Sequence, residues 1–158
     1  RAIGIEGHSH RSIHLREGRM LIRLTMEGQA VCCPGCRSAD VVRRGTQTRE
    51  FKAPPMAGKP VVVLVDVPRL QCDACGTVRQ AEIAFAAPHR HCTKSFVRYV
   101  IEMRRKLTIK DLAEHLGVSE WLVRSIEKEY LHRRFSKPKL KQVRRIAIDE
   151  ICLGGGRK

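Results

Sequence analysis

The sequence predicts an α+β protein in which a small β-rich domain precedes a helical one. Two Cys-x-x-Cys pairs lie in the first half of the chain, among runs that are rich in β-branched residues. Further along, between residues 94 and 131, apolar residues recur instead with the spacing of helices. The length of 158 residues suits one medium domain or two small ones in series, and the low aromatic content of 4% indicates small cores.

The net charge of +15 indicates a polyanionic partner, of which nucleic acid is the commonest. The excess is uneven, because residues 89–145 hold 16 Lys and Arg but only 6 Asp and Glu. Charge that served solubility alone would not need this concentration. A membrane partner is disfavoured, since the longest apolar run, Val61–Val65, is too short to span a bilayer and residues 1–10 lack the apolar core of a secretory signal.

Four of the seven cysteines form two pairs with 35 residues between them, a pattern typical of a structural zinc site. Each Cys-x-x-Cys turn supplies two thiolates from one bend, so that two turns complete a tetrahedral shell. The predicted zinc ligands are Cys33, Cys36, Cys72 and Cys75. Thiolate ligation also implies a reducing cytosol.

Other interpretations of the cysteines stay open. A thioredoxin-like redox pair would need a βαβ setting, which is not visible, and structural disulfides would need an oxidising compartment. Cys32 could replace Cys33 as a ligand, although the spacing favours Cys33. Cys92 lies beside His89 and His91, which allows an accessory metal site, but polar surface or helix-start residues are the simpler interpretation.

Strand-like segments flank both cysteine pairs and predict a zinc ribbon. Residues 20–24 lead into the first pair, 41–45 leave it, and 61–67 approach the second pair. Residues 53–58 contain two prolines and a glycine and are typical of a turn. In such a ribbon the metal replaces a core that is too small to hold itself.

Residues 109–131 predict two helices joined by a sharp turn, as in a helix-turn-helix. Thr108 and Ser119 are suited to cap the N-termini of these helices, and Gly117 to end the first of them. An earlier helix, over roughly 94–106, would complete a three-helix core. The alternative is an ordinary helical hairpin.

The second of these two helices is the predicted DNA-reading element. Arg124 is suited to read guanine through its forked donors, and Lys128 to meet phosphate. A lone tryptophan on a helix is more often a core residue than a base contact, so the role of Trp121 stays open. Arg133 and Arg134 begin a basic stretch that would follow the DNA backbone, with a solvated linker as the alternative. The predicted DNA-binding residues are Ser119, Glu120, Trp121, Arg124, Ser125, Lys128, Arg133 and Arg134.

Residues 145–153 form a short apolar run that contains two carboxylates, Asp149 and Glu150. Carboxylates in a buried strand are costly unless they are paired or bound to metal. On a central strand they hold Mg²⁺ in enzymes of polynucleotidyl transfer, where two metals clamp the attacking and leaving oxygens. An edge strand that exposes both carboxylates would have the same sequence.

The ordered set of motifs resembles the bacterial insertion-sequence transposases with an N-terminal zinc ribbon, the L-three group. The resemblance runs from about Met20 onward, and it implies binding of terminal inverted repeats in double-stranded DNA. It also implies a ribonuclease-H-like catalytic domain with a DDE triad and Mg²⁺, in which Asp149 matches the first carboxylate. The matching pieces are Cys33-Pro34-Gly35-Cys36, Cys72–Cys75, Leu112–Ile126 and Ile148-Asp149-Glu150.

We therefore expect the N-terminal part of a transposase, which binds DNA but, with one of three carboxylates, does not cut it. It would act in the bacterial cytoplasm at the nucleoid, and a homo-oligomer of the full-length protein stays open. The rival interpretations are a zinc-ribbon, helix-turn-helix transcriptional regulator without catalysis, and an RNA-binding zinc-ribbon protein. The expected regions are a tail (1–19), a zinc ribbon (20–88), a helix-turn-helix (89–133), a basic linker (134–144) and the first strand of a truncated ribonuclease-H-like domain (145–158).

Overall fold

A computed structural model describes residues 5, 8–26 and 31–137 and confirms the predicted α+β order, a β-sheet followed by three helices. Asp149, the other residues of the 145–158 region and most of the predicted basic linker lie outside the described residues. The strands are β1 (Ser9–Arg16), β2 (Arg19–Thr25), β3 (Val41–Met56), β4 (Lys59–Cys72) and β5 (Val78–Gln80), and the helices are α1 (Lys94–Met103), α2 (Ile109–Leu116) and α3 (Glu120–Phe135).

Strand β4 is the centre of the sheet. It pairs with β3 in antiparallel fashion along most of its length, from Lys59 opposite Met56 to Cys72 opposite Val41. On its other side the first half of β4 runs parallel to β2, and the second half pairs antiparallel with the short β5. β1 pairs with β2 and forms the outer edge on that side.

The sheet has a larger core than the sequence suggested. Alternate residues of β4, from Val61 to Val67, are fully buried, and Ile22 and Phe51 of the neighbouring strands pack with them. Buried side chains of the segment 81–86 belong to the same cluster. Most of this core comes from β4, in which alternate residues are buried, whereas β3 contributes Phe51 and Ala53. The metal is therefore not a substitute for a missing core.

A tight turn and an additional strand change the predicted boundaries of the ribbon. The predicted turn over 53–58 contracts to Ala57 and Gly58, whose φ angles of 49° and 72° fit a two-residue type I′ hairpin. Residues 53–56 instead belong to β3. The expected N-terminal tail contains β1, whose side chains are mostly exposed at the sheet edge, so no apolar alternation marked it as a strand.

The helical region follows the predicted capping pattern. The hydroxyl oxygen of Thr108 accepts a hydrogen bond from the backbone N–H of Asp111 at 3.2 Å, and that of Ser119 accepts one from Leu122 at 3.3 Å. Gly117 ends α2 in the left-handed conformation, with a φ of 59°. The N-terminus of α3 is thus fixed by local chemistry, and α3 continues to Phe135, beyond the predicted end of the domain.

Backbone hydrogen bonds join the helical region to the edge of the sheet. The N–H of Lys52 in β3 donates to the carbonyl of His91, and the N–H of Thr93 donates to the carbonyl of Lys52, both at 2.9 Å. The hydroxyl of Thr93 in turn caps α1 by accepting from the N–H of Phe96 at 3.1 Å. The buried Thr93 therefore ends the pairing with β3 and caps α1.

Candidate zinc centre and nucleic-acid interface

The two cysteine pairs lie in turns of the same backbone geometry, which we call the first knuckle (residues 33–38) and the second knuckle (residues 72–77). In each, the N–H of the first cysteine donates to the carbonyl five residues later, at 2.8 and 3.0 Å. The N–H four residues later donates back to the first cysteine's carbonyl, at 2.9 Å in both. That fourth residue is Arg37 in the first knuckle and Gly76 in the second, with φ angles of 66° and 68°.

The knuckles meet at the end of the β3–β4 hairpin and bring four sulfur atoms together. The Sγ atoms of Cys33 and Cys75 are 3.7 Å apart, and those of Cys36 and Cys72 are 3.5 Å apart. All four potential ligand atoms lie within 4.8 Å of one another. Zn–S bonds of about 2.3 Å in a tetrahedron place sulfurs roughly 3.8 Å apart, so the donor set fits a structural zinc ion.

The surroundings of the cysteine thiols differ, and their pKa values shift in different directions. Backbone N–H groups of Cys36 and Gly35 lower the pKa of the Cys33 thiol to about 6, whereas burial raises the pKa of Cys72 to about 12. The hydroxyl of Thr77, 3.1 Å from the sulfur of Cys75, lowers the pKa of that thiol. Without a cation, four clustered thiolates would repel one another. Zinc would therefore bind as the remaining protons leave.

The other predicted ligand candidates lie elsewhere. Cys32 is exposed and stands outside the four-sulfur cluster, which contains Cys33. His89 and His91 are exposed, while Cys92 is buried in the core of the helical region, where burial raises its pKa. Within the described part of the chain, these three residues do not form a second group of potential metal ligands.

Helix α3 has one buried face and one exposed face. Val123 and Ile126 are buried against α1 and α2. Trp121, Arg124 and Lys128 are exposed and follow one another at helical spacing. Trp121 is 73% exposed, so in this structure it is a surface residue and not a core residue. The face left open by the packing thus carries one large aromatic and two cationic side chains.

Other predicted interface residues have structural partners. The guanidinium of Arg124 forms an ion pair with Glu120 one turn earlier, at 3.1 Å. Ser119 caps α3. Ser125 is half buried on a neighbouring face, where its hydroxyl donates to the carbonyl of Leu122 and accepts from Arg90. Arg133 and Arg134 are exposed in the last turn of α3.

Sequence reasoning missed the residues that brace α3. Arg90, from the segment before α1, forms an ion pair with Glu129 of α3. Arg104, just after α1, forms a second one with Glu127 at 3.0 Å. Both partners of the Arg104–Glu127 pair are partly buried, whereas Glu129 is 59% exposed, so the Arg104–Glu127 pair is the better shielded of the two. No signal in the sequence could have paired them, because each arginine lies far from its carboxylate along the chain.

Comparisons with known proteins agree with this geometry. A family model described as the zinc-finger of transposase IS204/IS1001/IS1096/IS1165 matches residues 29–75. Another, described as the helix-turn-helix domain of transposase family ISL3, matches residues 81–131. No curated protein and no solved structure matches the chain. In the part of the chain that the structure describes, no helix has the length and apolarity needed to cross a membrane.

These matches account for both candidate sites. The first model covers the first knuckle and reaches Cys75, the last of the four clustered cysteines. The second covers α1, α2 and most of α3. A helix-turn-helix domain indicates binding of DNA. The predicted resemblance to the L-three group is thereby confirmed. Residues 29–75 and 81–131 thus match the zinc ribbon and the helix-turn-helix of insertion-sequence transposases of the ISL3 family.

Proposed function

We propose that this chain recognises the terminal inverted repeats of an insertion sequence as the DNA-binding part of a transposase. The observation that carries the proposal is the exposed face of α3, where Trp121, Arg124 and Lys128 lie opposite the buried Val123 and Ile126. A helix that is capped at its N-terminus and buried along one face presents its other face as a rigid unit. Such a unit suits the major groove of B-DNA.

The residues of this face, and others near the two ends of α3, have roles in the proposed complex. Arg124 would exchange its exposed ion pair with Glu120 for a bidentate contact to guanine, since an exposed pair of this kind is weak. Lys128, about one turn further on, would meet phosphate. Trp121 would pack against a thymine methyl group or a sugar. Arg133 and Arg134 would contact the backbone beyond the reading residues, and Ser119 and Glu120 would set the start of the helix at the groove.

The remaining parts of the proposal rest on the family resemblance. Full-length protein would break and join DNA strands with Mg²⁺, and Asp149 would be the first carboxylate of its triad. Asp149 lies outside the described residues. Homo-oligomers of the full-length protein would hold two element ends, and the thiolate-zinc site would be maintained in the reducing cytoplasm beside the nucleoid.

A binding titration with Arg124→Ala tests the proposal. The probe is a duplex that carries the terminal repeat next to the chain's own gene, compared with a shuffled duplex. Arg124→Ala should relax the preference at one base pair, at a cost of about 1–3 kcal/mol, while Lys128→Ala should weaken binding to both duplexes alike. Equal affinity of the unchanged chain for both duplexes would contradict recognition of the repeats.

A further inference from the structure

A second basic feature lies on the zinc ribbon, apart from α3. A cleft of about 590 Å³ opens between the first knuckle and the segment 81–89. Its lining includes three arginines, Arg37, Arg49 and Arg79, which come from the first knuckle, β3 and β5. Nothing in the zinc site or in the helix-turn-helix accounts for this concentration of guanidinium groups.

Arg37 is held in an unfavourable backbone conformation. Its φ of 66° lies in the left-handed region, where the side chain of an L-residue crowds the backbone. The equivalent position of the second knuckle is occupied by Gly76, with nearly the same φ of 68°. The fold thus needs a left-handed residue at both positions, and glycine meets that need without strain. Arginine at this position therefore costs stability that glycine would avoid.

The guanidinium groups of the cleft are available to an anion. Arg37 approaches Glu82 at 3.9 Å, but the side chains are 75% and 69% exposed, so this pair is weak and easily exchanged. Arg49 lies over the ring of Phe51, at 5.0 Å from its centroid, which holds the guanidinium in place. Neither Arg49 nor Arg79 forms an ion pair with a carboxylate of the described residues.

We propose that this arginine cleft binds the sugar–phosphate backbone of the duplex that α3 reads, so that the zinc ribbon is a second DNA clamp. Arginine pairs with phosphate through two parallel N–H···O contacts, which suits a surface that positions DNA without reading bases. A short segment links the cleft to α3, because Ala87 lines the cleft while Arg90, three residues later, contacts Ser125 of α3. This inference rests on the proposed DNA binding by α3.

The Arg37→Gly variant separates this role from a structural one. It removes the strained residue and one cation together, so we expect a higher melting temperature of the zinc-loaded chain and weaker binding of DNA. The probe is a duplex that the unchanged chain has selected from a random pool, with long flanks on both sides. The salt dependence of log K should lose about one unit of slope, as for one lost phosphate contact, and Arg79→Gln should lose a similar amount.

Two control variants complete the design. Arg37→Lys keeps the charge and should keep most of the salt slope. Arg69→Gln removes an exposed arginine of β4 that does not line the cleft, and it should leave the slope unchanged. All variants are compared at equal zinc content, so that damage to the knuckle is not mistaken for loss of a contact.

The possible results have distinct meanings. If Arg37→Gly and Arg79→Gln keep the full salt slope while Arg124→Ala loses base preference, the clamp is wrong and the proposed function stands. If Arg69→Gln weakens binding as much as Arg79→Gln, the effect is general charge and the cleft is not a site. If the unchanged chain binds an acidic peptide or RNA but no duplex, both the clamp and the proposed function fall.

Discussion

The ribbon and the helical region reach a fixed geometry by different means. In the helical region, each helix start is fixed by a side chain within three residues of it, and the buried faces close one small core. In the ribbon, the residues that meet are far apart in the chain, as in the parallel pairing of β2 with β4. At one end of the ribbon, the two knuckles bring four cysteines together. Local capping therefore sets where each helix starts, whereas the ribbon depends on pairing between distant segments, and a metal would hold its knuckles.

Removal of zinc should have the largest effect, and this effect should be confined to the ribbon. Structural zinc binding supplies on the order of 10 kcal/mol or more, so its loss should open the knuckles and the adjoining ends of β3 and β4. Because the pairing of Phe51 with Val63 lies well along the hairpin in a buried core, that part should persist. Hydrogen exchange after chelation should show lost protection near Val41 and Cys72, and retained protection in α1 to α3.

Adjacent cysteines give a matched control for the same prediction. Cys33→Ser should abolish stoichiometric zinc, whereas Cys32→Ser should leave it unchanged, because Cys32 is exposed and outside the sulfur cluster. Metal content measured on purified protein decides between them. Zinc that survives Cys33→Ser but not Cys32→Ser would show that the ligand assignment is off by one residue.

A cavity in the helical core should destabilise the helices and leave the zinc site unchanged. Leu112 is fully buried in the core of the helical region, so Leu112→Ala should destabilise the three helices by about 2–5 kcal/mol. Zinc content should stay the same, since no knuckle residue touches this core. Circular dichroism at rising temperature, combined with metal analysis, measures both quantities. Lys110→Ala, at an exposed site on the same helix, should change stability by less than about 0.5 kcal/mol.

The outcome also tests the junction between the regions. If Leu112→Ala releases zinc at the same temperature at which the helices melt, the two regions unfold as one unit. The hydrogen bonds between Lys52 and the segment 91–93 would then couple them. Separate transitions would show that the junction orients the helices without sharing their stability.

Much of the candidate site could be predicted because its signals are local. The cysteine spacing identified all four clustered sulfurs, and the caps at Thr108 and Ser119 placed the start of α2 and α3. The ends of the ribbon strands were harder to predict from the sequence, since alanine, which occupies the turn at Ala57, seldom adopts a positive φ.

What remained hidden depends on distant partners. β1 is a strand because it pairs with β2, although its own side chains are mostly exposed and polar. The left-handed conformation of Arg37 follows from the geometry of the knuckle, for which the sequence gives one sign, the glycine at the matching position after the second Cys-x-x-Cys pair. The exposure of Trp121 likewise follows from which face of α3 meets α1 and α2.

The smallest expected effect concerns the hairpin end that is remote from zinc. Ala57 has a φ of 49° at the first central position of a type I′ turn, where asparagine is favoured over alanine. Ala57→Asn should therefore raise the free energy of unfolding by roughly 0.5–1 kcal/mol. Ala84→Asn, at an exposed position without a positive φ, should give no gain.

The decisive measurement of this last variant is its melting temperature with zinc bound and after chelation. Since the turn and the knuckles lie at opposite ends of the β3–β4 hairpin, the gain from Ala57→Asn should be about the same in both states. A gain that vanishes on chelation would mean that the hairpin loses its pairing along its whole length without metal. The core around Val63 and Phe51 would then be insufficient by itself, and the original expectation of a metal-dependent ribbon would be correct.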